Sequence, residues 1–204
     1  MRFALRHFSK VFTVRNKQGE PLILIGGQAV NYWAELYSEA EPGLAKWRPF
    51  TSEDIDFQGS REDVGLIASQ LGLVAVYPLP VEMTVLAGII PFRIGDSKSQ
   101  IEVIRFVPGV PTRLLRETAL EAVWAQHQIR VIDPISLLHA KARLALKISQ
   151  KDRRDADHLA IMVLCVRAFL RDALVKVQDG SLPSRNWLAA AEKSNGNFGI
   201  ADRA

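Results

Sequence analysis

One cysteine stands among 204 residues, so no intrachain disulfide can hold this chain together. Cys165 lies among Val163, Leu164 and Val166, a setting that marks a core thiol rather than a nucleophile. No apolar run approaches the ~18 residues of a membrane span. Residues 1–14 carry charge at Arg2, Arg6 and Lys10 and hold no continuous apolar stretch, so no signal peptide is read there. A cytoplasmic protein with no membrane partner is the expectation. Internal repeats and low-complexity tracts are absent. Histidine and cysteine do not cluster either: His7, His127 and His139 are isolated and no cysteine accompanies His158, which gives no zinc motif and no Ser-His-Asp arrangement.

What is present is an ordinary globular composition, 48% apolar and 24% charged, large enough for a proper core. Charge is divided unevenly. Residues 1–110 hold 11 Lys and Arg against 12 Asp and Glu, whereas residues 111–204 hold 15 against 10. Excess positive charge in the second half fits either solvated helix faces or a polyanionic partner.

Patterning predicts an order of elements. After a leading helix or irregular segment over 1–20, Leu22 to Ile25 reads as a short strand and Gln28 to about Ser38 as a helix. Residues 39–50, with Pro42, Gly43 and Pro49, read as an inserted loop. Ser60 is a suitable N-cap for a helix that stops at Gly72. Leu73–Tyr77, Thr84–Ile90 and Gln100–Val107 have strand character, the last two joined by a polar turn over Gly95–Ser99. Pro108–Pro111 is the expected boundary between a core of residues 1–110 and a second part, 111–204, packed on it. That part should hold a hairpin (Ala119–Trp124 with Ile129–Ile132) and a helix opened by Asp133-Pro134 and reaching about Ile148. A second helix should follow from Arg154 to about Val177, stopped by Gly180, Pro183 and Ser184, and a last one over Asn186–Lys193.

The chemistry is concentrated at Thr51-Ser52-Glu53-Asp54-Ile55-Asp56-Phe57. On a strand, Asp54 and Asp56 project from one face with Cα atoms roughly 6.5 Å apart, while Ile55 and Phe57 face the core. Two carboxylates on a half-buried strand repel each other and lose hydration, a cost that a cation offsets. Upstream, Leu22–Ile25 runs into Gly26-Gly27 and then into a helix with Val30, Trp33, Ala34 and Tyr37 on one stripe. Strand, glycines and helix N-terminus offer backbone N–H groups to a phosphate. Alone, either piece is commonplace: a solvated Asp-x-Asp, or a tight turn. Together they point to chemistry on a nucleoside triphosphate.

The strings Ile25-Gly26-Gly27-Gln28-Ala29-Val30-Asn31 and Thr51–Phe57 resemble the nucleotidyltransferase superfamily of DNA polymerase β, and within it the AbiEii-type toxin nucleotidyltransferases. The resemblance spans roughly residues 20–165. It implies an α/β (α+β) fold, a mixed sheet flanked by helices and followed by a helical C-terminal region. It also implies transfer of a nucleoside monophosphate to a hydroxyl, with RNA a candidate acceptor and an antitoxin protein a candidate partner. Magnesium or manganese would be held by Asp54, Asp56 and a third acid on a later strand. Glu102 matches that third place, where Asp is more usual; it reads otherwise as an edge-strand glutamate reaching solvent. Gly26, Gly27, Gln28, Ser52, Lys141 and Asp155 are the implied nucleotide-binding residues.

Lys141 shares a helical stripe with Leu137, Leu144 and Ile148, so it either snorkels from the core rim or faces the triphosphate, as the resemblance implies. Asp155 shares one with Leu159, Met162 and Val166; it is either a helix-start acid or a contact to nucleotide or metal. Arg154-Asp155-Ala156-Asp157-His158-Leu159 is similar to the family's Arg-Asp-x-x-Asp-Leu, with His158 where a second Asp is usual. A reading of a different class is a nucleotide-binding or protein-interaction module that keeps the fold without turnover.

Overall fold

The computed structural model describes residues 1–79, 81–147 and 154–181. Its centre is a six-stranded mixed sheet in the order β3-β4-β2-β1-β6-β5. The strands are β1 (Ile23–Ile25), β2 (Ile55–Gln58), β3 (Leu86–Ile94), β4 (Ser97–Ile104), β5 (Leu120–Trp124) and β6 (His127–Val131). β1 runs antiparallel to β2 and parallel to β6, while β2 runs parallel to β4. The hairpin β5–β6 therefore continues the sheet that begins in the first half of the chain.

Helix α1 (Gly26–Leu36) packs on β1 and β2, and α2 (Arg61–Leu71) on β3 and β4. After the short α3 (Thr112–Thr118), α4 (Pro134–Lys147) and α5 (Asp155–Gln178) pack against each other and against α1. The predicted stripe Val30, Trp33, Ala34 and Tyr37 is buried, but so is every residue from Gly27 to Ala34, because α1 is covered on more than one side. Trp33 donates its indole N–H to the Ile132 carbonyl at 3.0 Å, tying α1 to the end of β6. α2 carries a complete capping box between Ser60 and Asp63, and ends on Gly72 in the left-handed conformation. Cys165 is fully buried, and burial pushes its thiol up to about 12, as a core cysteine requires. Among the described residues no helix is long and apolar enough to cross a membrane.

The first residues form a 3₁₀ segment, Leu5–Thr13, with Leu5, Phe8, Val11 and Phe12 buried. Phe12 meets Phe57 of β2 and Trp124 of β5 edge-on. Phe57 alternates with Asp56 along β2, so this segment covers the sheet face opposite the acids. The other face is left to the site.

Several expectations shift. Leu73–Tyr77 is not a strand: only Val76 forms a bridge, to Ile89. β3 begins and ends later than Thr84–Ile90, so the β3–β4 turn is Gly95-Asp96 alone. Residues 39–50 contain a 3₁₀ turn, Pro42–Trp47, and α3 lies where no helix was expected. The β5–β6 turn uses Ala125 and Gln126 at φ 45° and 70°, without the Gly or Asn that advertises such a turn. The expected helix Asn186–Lys193, the stop signals Pro183 and Ser184 of the helix before it, and the expected end of α4 at Ile148 lie outside the described residues.

The 39–50 insert is fixed by Glu41, 2% exposed, which accepts hydrogen bonds from Arg167 and Arg171 of α5. The Arg167 hydrogen bonds hold the Glu41 carboxyl below its ordinary value of 4.5. A carboxyl with a lowered folded-state pKa stabilises the fold above the ordinary value, and the contribution fades as pH falls through the lowered one. Glu41→Gln should therefore lower Tm at neutral pH, with the gap to wild type closing below pH 4.5. Thermal unfolding across pH 3–8 checks this; a gap that is constant with pH would contradict it.

Candidate active site

Strand register assembles the acids. Ile25 of β1 is the Cα partner of Asp56 on β2, and Asp56 is the partner of Glu102 on β4. Partnered residues on neighbouring strands project from the same face, so Asp56 and Glu102 stand side by side. Asp54, two residues before Asp56, joins them: one carboxylate oxygen from each of the three lies within 4.8 Å of the others. β4 lies between β3 and β2, which removes the reading of Glu102 as an edge-strand residue. Gln100 donates to Glu102 Oε1 at 2.6 Å and orients it.

The helix start closes over this cluster. Gly26 takes φ +67°, which a side chain would resist, and a Cβ there would sit 1.9 Å from Asp56 Oδ2. Gly27 donates its backbone N–H to Asp56 Oδ2 at 3.3 Å. A Cβ on Gly27 would lie 2.6 Å from Ser52 Oγ and 3.5 Å from His158 Cε1. Both glycines are thus required by close approach, not by a turn alone. Ser52 donates to Asp54 Oδ1 at 3.3 Å, and its backbone forms a two-way bridge with Phe3. Gln28 is fully buried; its amide donates to the Phe3 carbonyl and its oxygen accepts from Asn31. The Gln28 side chain thus fastens Phe3, whose backbone in turn braces Ser52.

Burial, and then the negative charge of Asp54 and Glu102, pushes the Asp56 carboxyl up to about 8. Burial raises Asp54 too, and burial with Asp54 raises Glu102. Three carboxyls held close and out of water disfavour their own ionisation. A hard divalent cation reverses that balance, and an all-oxygen donor set suits magnesium or manganese. The residues present therefore fit such an ion.

Lys141 of α4 and Asp155 of α5 are 6% and 3% exposed and form an ion pair at 3.1 Å. Lys141 lies close enough to the acids that its charge favours the ionised forms of Asp54 and Asp56. Most residues singled out in the sequence thus converge: Gly26, Gly27, Ser52, Asp54, Asp56, Glu102, Lys141 and Asp155 lie around one place, whereas the buried Gln28 side chain is bonded to Phe3 and Asn31 instead. Missed from sequence was Phe3, a clamp on Ser52, which carries no spacing signal because it reaches the site through tertiary packing. His158, noted in the sequence only as a departure from the family's second Asp, lies beside Gly27.

No protein-family model matches the chain, and no curated protein is similar to it in sequence. Among solved structures, it is similar to an antigenic nucleotidyltransferase-like protein from Paracoccidioides brasiliensis, at 14% identity and a TM-score of 0.44. That similarity covers 69% of this chain and 66% of the other. It is also similar to the antibiotic-resistance factor ANT(2'')-Ia, at 14% identity and a TM-score of 0.50, over 87% of this chain and 97% of that one. What the second similarity establishes is architecture: the chain has a nucleotidyltransferase-like fold.

Proposed function

We propose that the chain is a divalent-metal-dependent nucleotidyltransferase, moving a nucleoside monophosphate from a nucleoside triphosphate to a hydroxyl and releasing pyrophosphate. The observation that carries this reading is the meeting of Asp54, Asp56 and Glu102 against the Gly26-Gly27 helix start. Asp54, Asp56 and Glu102 would hold magnesium or manganese, which would activate the acceptor oxygen and neutralise charge at the phosphates. The chain's own groups do the positioning. Gly26 and Gly27 let backbone reach the phosphates, the Gly27 N–H and Ser52 orient the two aspartates, and Lys141 brings positive charge.

Release of pyrophosphate from the four ribonucleoside triphosphates, with magnesium and with chelator, tests the reading. Binding without release would instead support the module that keeps the fold without turnover. Gly26→Ala is a sharper probe. The added methyl must displace Asp56, and a misplacement of about 1 Å costs on the order of a hundredfold in rate. Wild-type turnover in that variant would remove Asp56 from the metal site.

We further propose RNA as the acceptor, on the excess positive charge of residues 111–204, and a toxin role with an antitoxin partner, on the Ile25–Asn31 and Thr51–Phe57 motifs alone. Lys147 and Arg154 flank the α4–α5 junction; Lys151 and Arg153 lie outside the described residues. Each phosphate neutralised by such residues releases counterions, so binding should weaken steeply with salt. Removing two or three of the four should lower RNA affinity and flatten the salt slope together. An affinity independent of salt would exclude RNA and leave the nucleotide chemistry standing.

A further inference from the structure

We propose that His158 is a phosphate-binding residue of this site, donating its ring N–H to an oxygen of the triphosphate. The inference rests on the nucleotidyltransferase reading and adds to it a ligand-contacting residue that the spacing of the acids does not reveal. His158 is 8% exposed, and its Nδ1 is buried without a hydrogen-bond partner among the described residues. A buried ring nitrogen left unpaired destabilises the fold, so its retention needs a compensating partner.

The position says what that partner is. His158 Cε1 lies 3.5 Å from where a Gly27 Cβ would be, nearer than any other atom of the ring. Cε1 is bonded to both ring nitrogens, so the Nδ1–Cε1–Nε2 edge borders the first turn of α1. The same place is bordered by the Ser52 hydroxyl and lies within the field of the Lys141 cation. A hydroxyl, an ammonium and a helix N-terminus together favour a ligand rich in acceptor oxygens, which a phosphate chain supplies. Burial, and then Lys141 and Arg154, push the imidazole down to about 3, so at neutral pH it is uncharged and carries one N–H donor. A neutral donor can approach Lys141 without the repulsion a second cation would bring, and without the attraction to Lys141 that an aspartate there would have.

The test is made on wild type and two variants, with magnesium present. Long-range ¹H–¹⁵N spectra of the imidazoles are recorded with a nucleoside triphosphate and with its parent nucleoside; the signal missing in His158→Asn identifies His158. Triphosphate, and not nucleoside, should shift that signal. His158→Leu should bind triphosphate about tenfold more weakly, with nucleoside affinity unchanged. Asn places a donor near the position of Nδ1, so His158→Asn should stay within about threefold of wild type. A wild type that binds triphosphate with no shift at His158, or a folded Leu variant with undiminished affinity, overturns the inference and leaves the proposed reaction standing. A wild type that binds no triphosphate overturns that reaction, and the inference with it. Should the Leu variant fail to fold, the wild-type spectra decide.

Discussion

Asp56→Asn is expected to reduce pyrophosphate release by roughly a hundred- to a thousandfold, the scale of losing a group that stabilises charge in the transition state. The same loss is expected of Asp54→Asn. Both variants should remain folded, and in chelator buffer Asp56→Asn should melt higher than wild type. The reason is geometric: Asp54, Asp56 and Glu102 bring carboxylate oxygens within 4.8 Å of one another, and the asparagine removes a carboxyl whose ionisation burial and its two neighbours oppose in the folded state. A relief of about 1 kcal/mol raises Tm by about 2–4 °C in a domain of this size. Saturating magnesium should reverse the order, because it binds the wild-type cluster and stabilises it by mass action. Activity and melting temperature thus move in opposite directions in the variant. A functional residue placed at a cost to stability does this, and a merely structural one does not. Near-wild-type release by either variant would dissolve the two-aspartate assignment.

Lys141→Met is expected to lower stability by about 3–5 kcal/mol, the scale of breaking a buried ion pair from one side. Asp155, 3% exposed, keeps its carboxylate in a place that water barely reaches and loses the ammonium 3.1 Å away. Lys141→Met combined with Asp155→Leu should recover part of that loss, since neither member of this ion pair is then left buried without the other. Triphosphate affinity should not recover with it. The double variant still lacks the cation near Asp54 and Asp56, and should bind triphosphate about ten- to a hundredfold more weakly than wild type. Urea unfolding and nucleotide titration on the two variants separate the roles. Restored affinity in the double variant would confine Lys141 to the fold, whereas an unaffected stability in Lys141→Met would mean the pair contributes nothing.

Those two sites show where sequence reasoning reaches and where it stops. Alternation along β2 is local: Ile55 and Phe57 must be buried, so Asp54 and Asp56 must share the other face, whatever the rest of the chain does. The glycines at 26 and 27, the capping box at Ser60 and the stop at Gly72 are equally local, and the backbone obeys them. Turn chemistry was less legible. The hairpin turn at Ala125-Gln126 carries no residue that prefers positive φ, so strand pairing on either side imposes it.

By itself, then, the sequence determined the pair of aspartates, the glycine approach to a helix start and the helical stripes bearing Lys141 and Asp155. Only the tertiary structure decided that Glu102 lies on an interior strand in register with Asp56, and that Lys141 and Asp155 form a buried ion pair. It also decided that Phe3 and Gln28 hold Ser52 in place, and that His158 borders Gly27. The physical reason is the range of the forces involved. Backbone propensity and burial period act over a few residues, and so can be read along the chain. Ion pairing, strand register and desolvation act across space, between residues 130 positions apart in the Glu41–Arg171 ion pair, and exist only once the chain has folded.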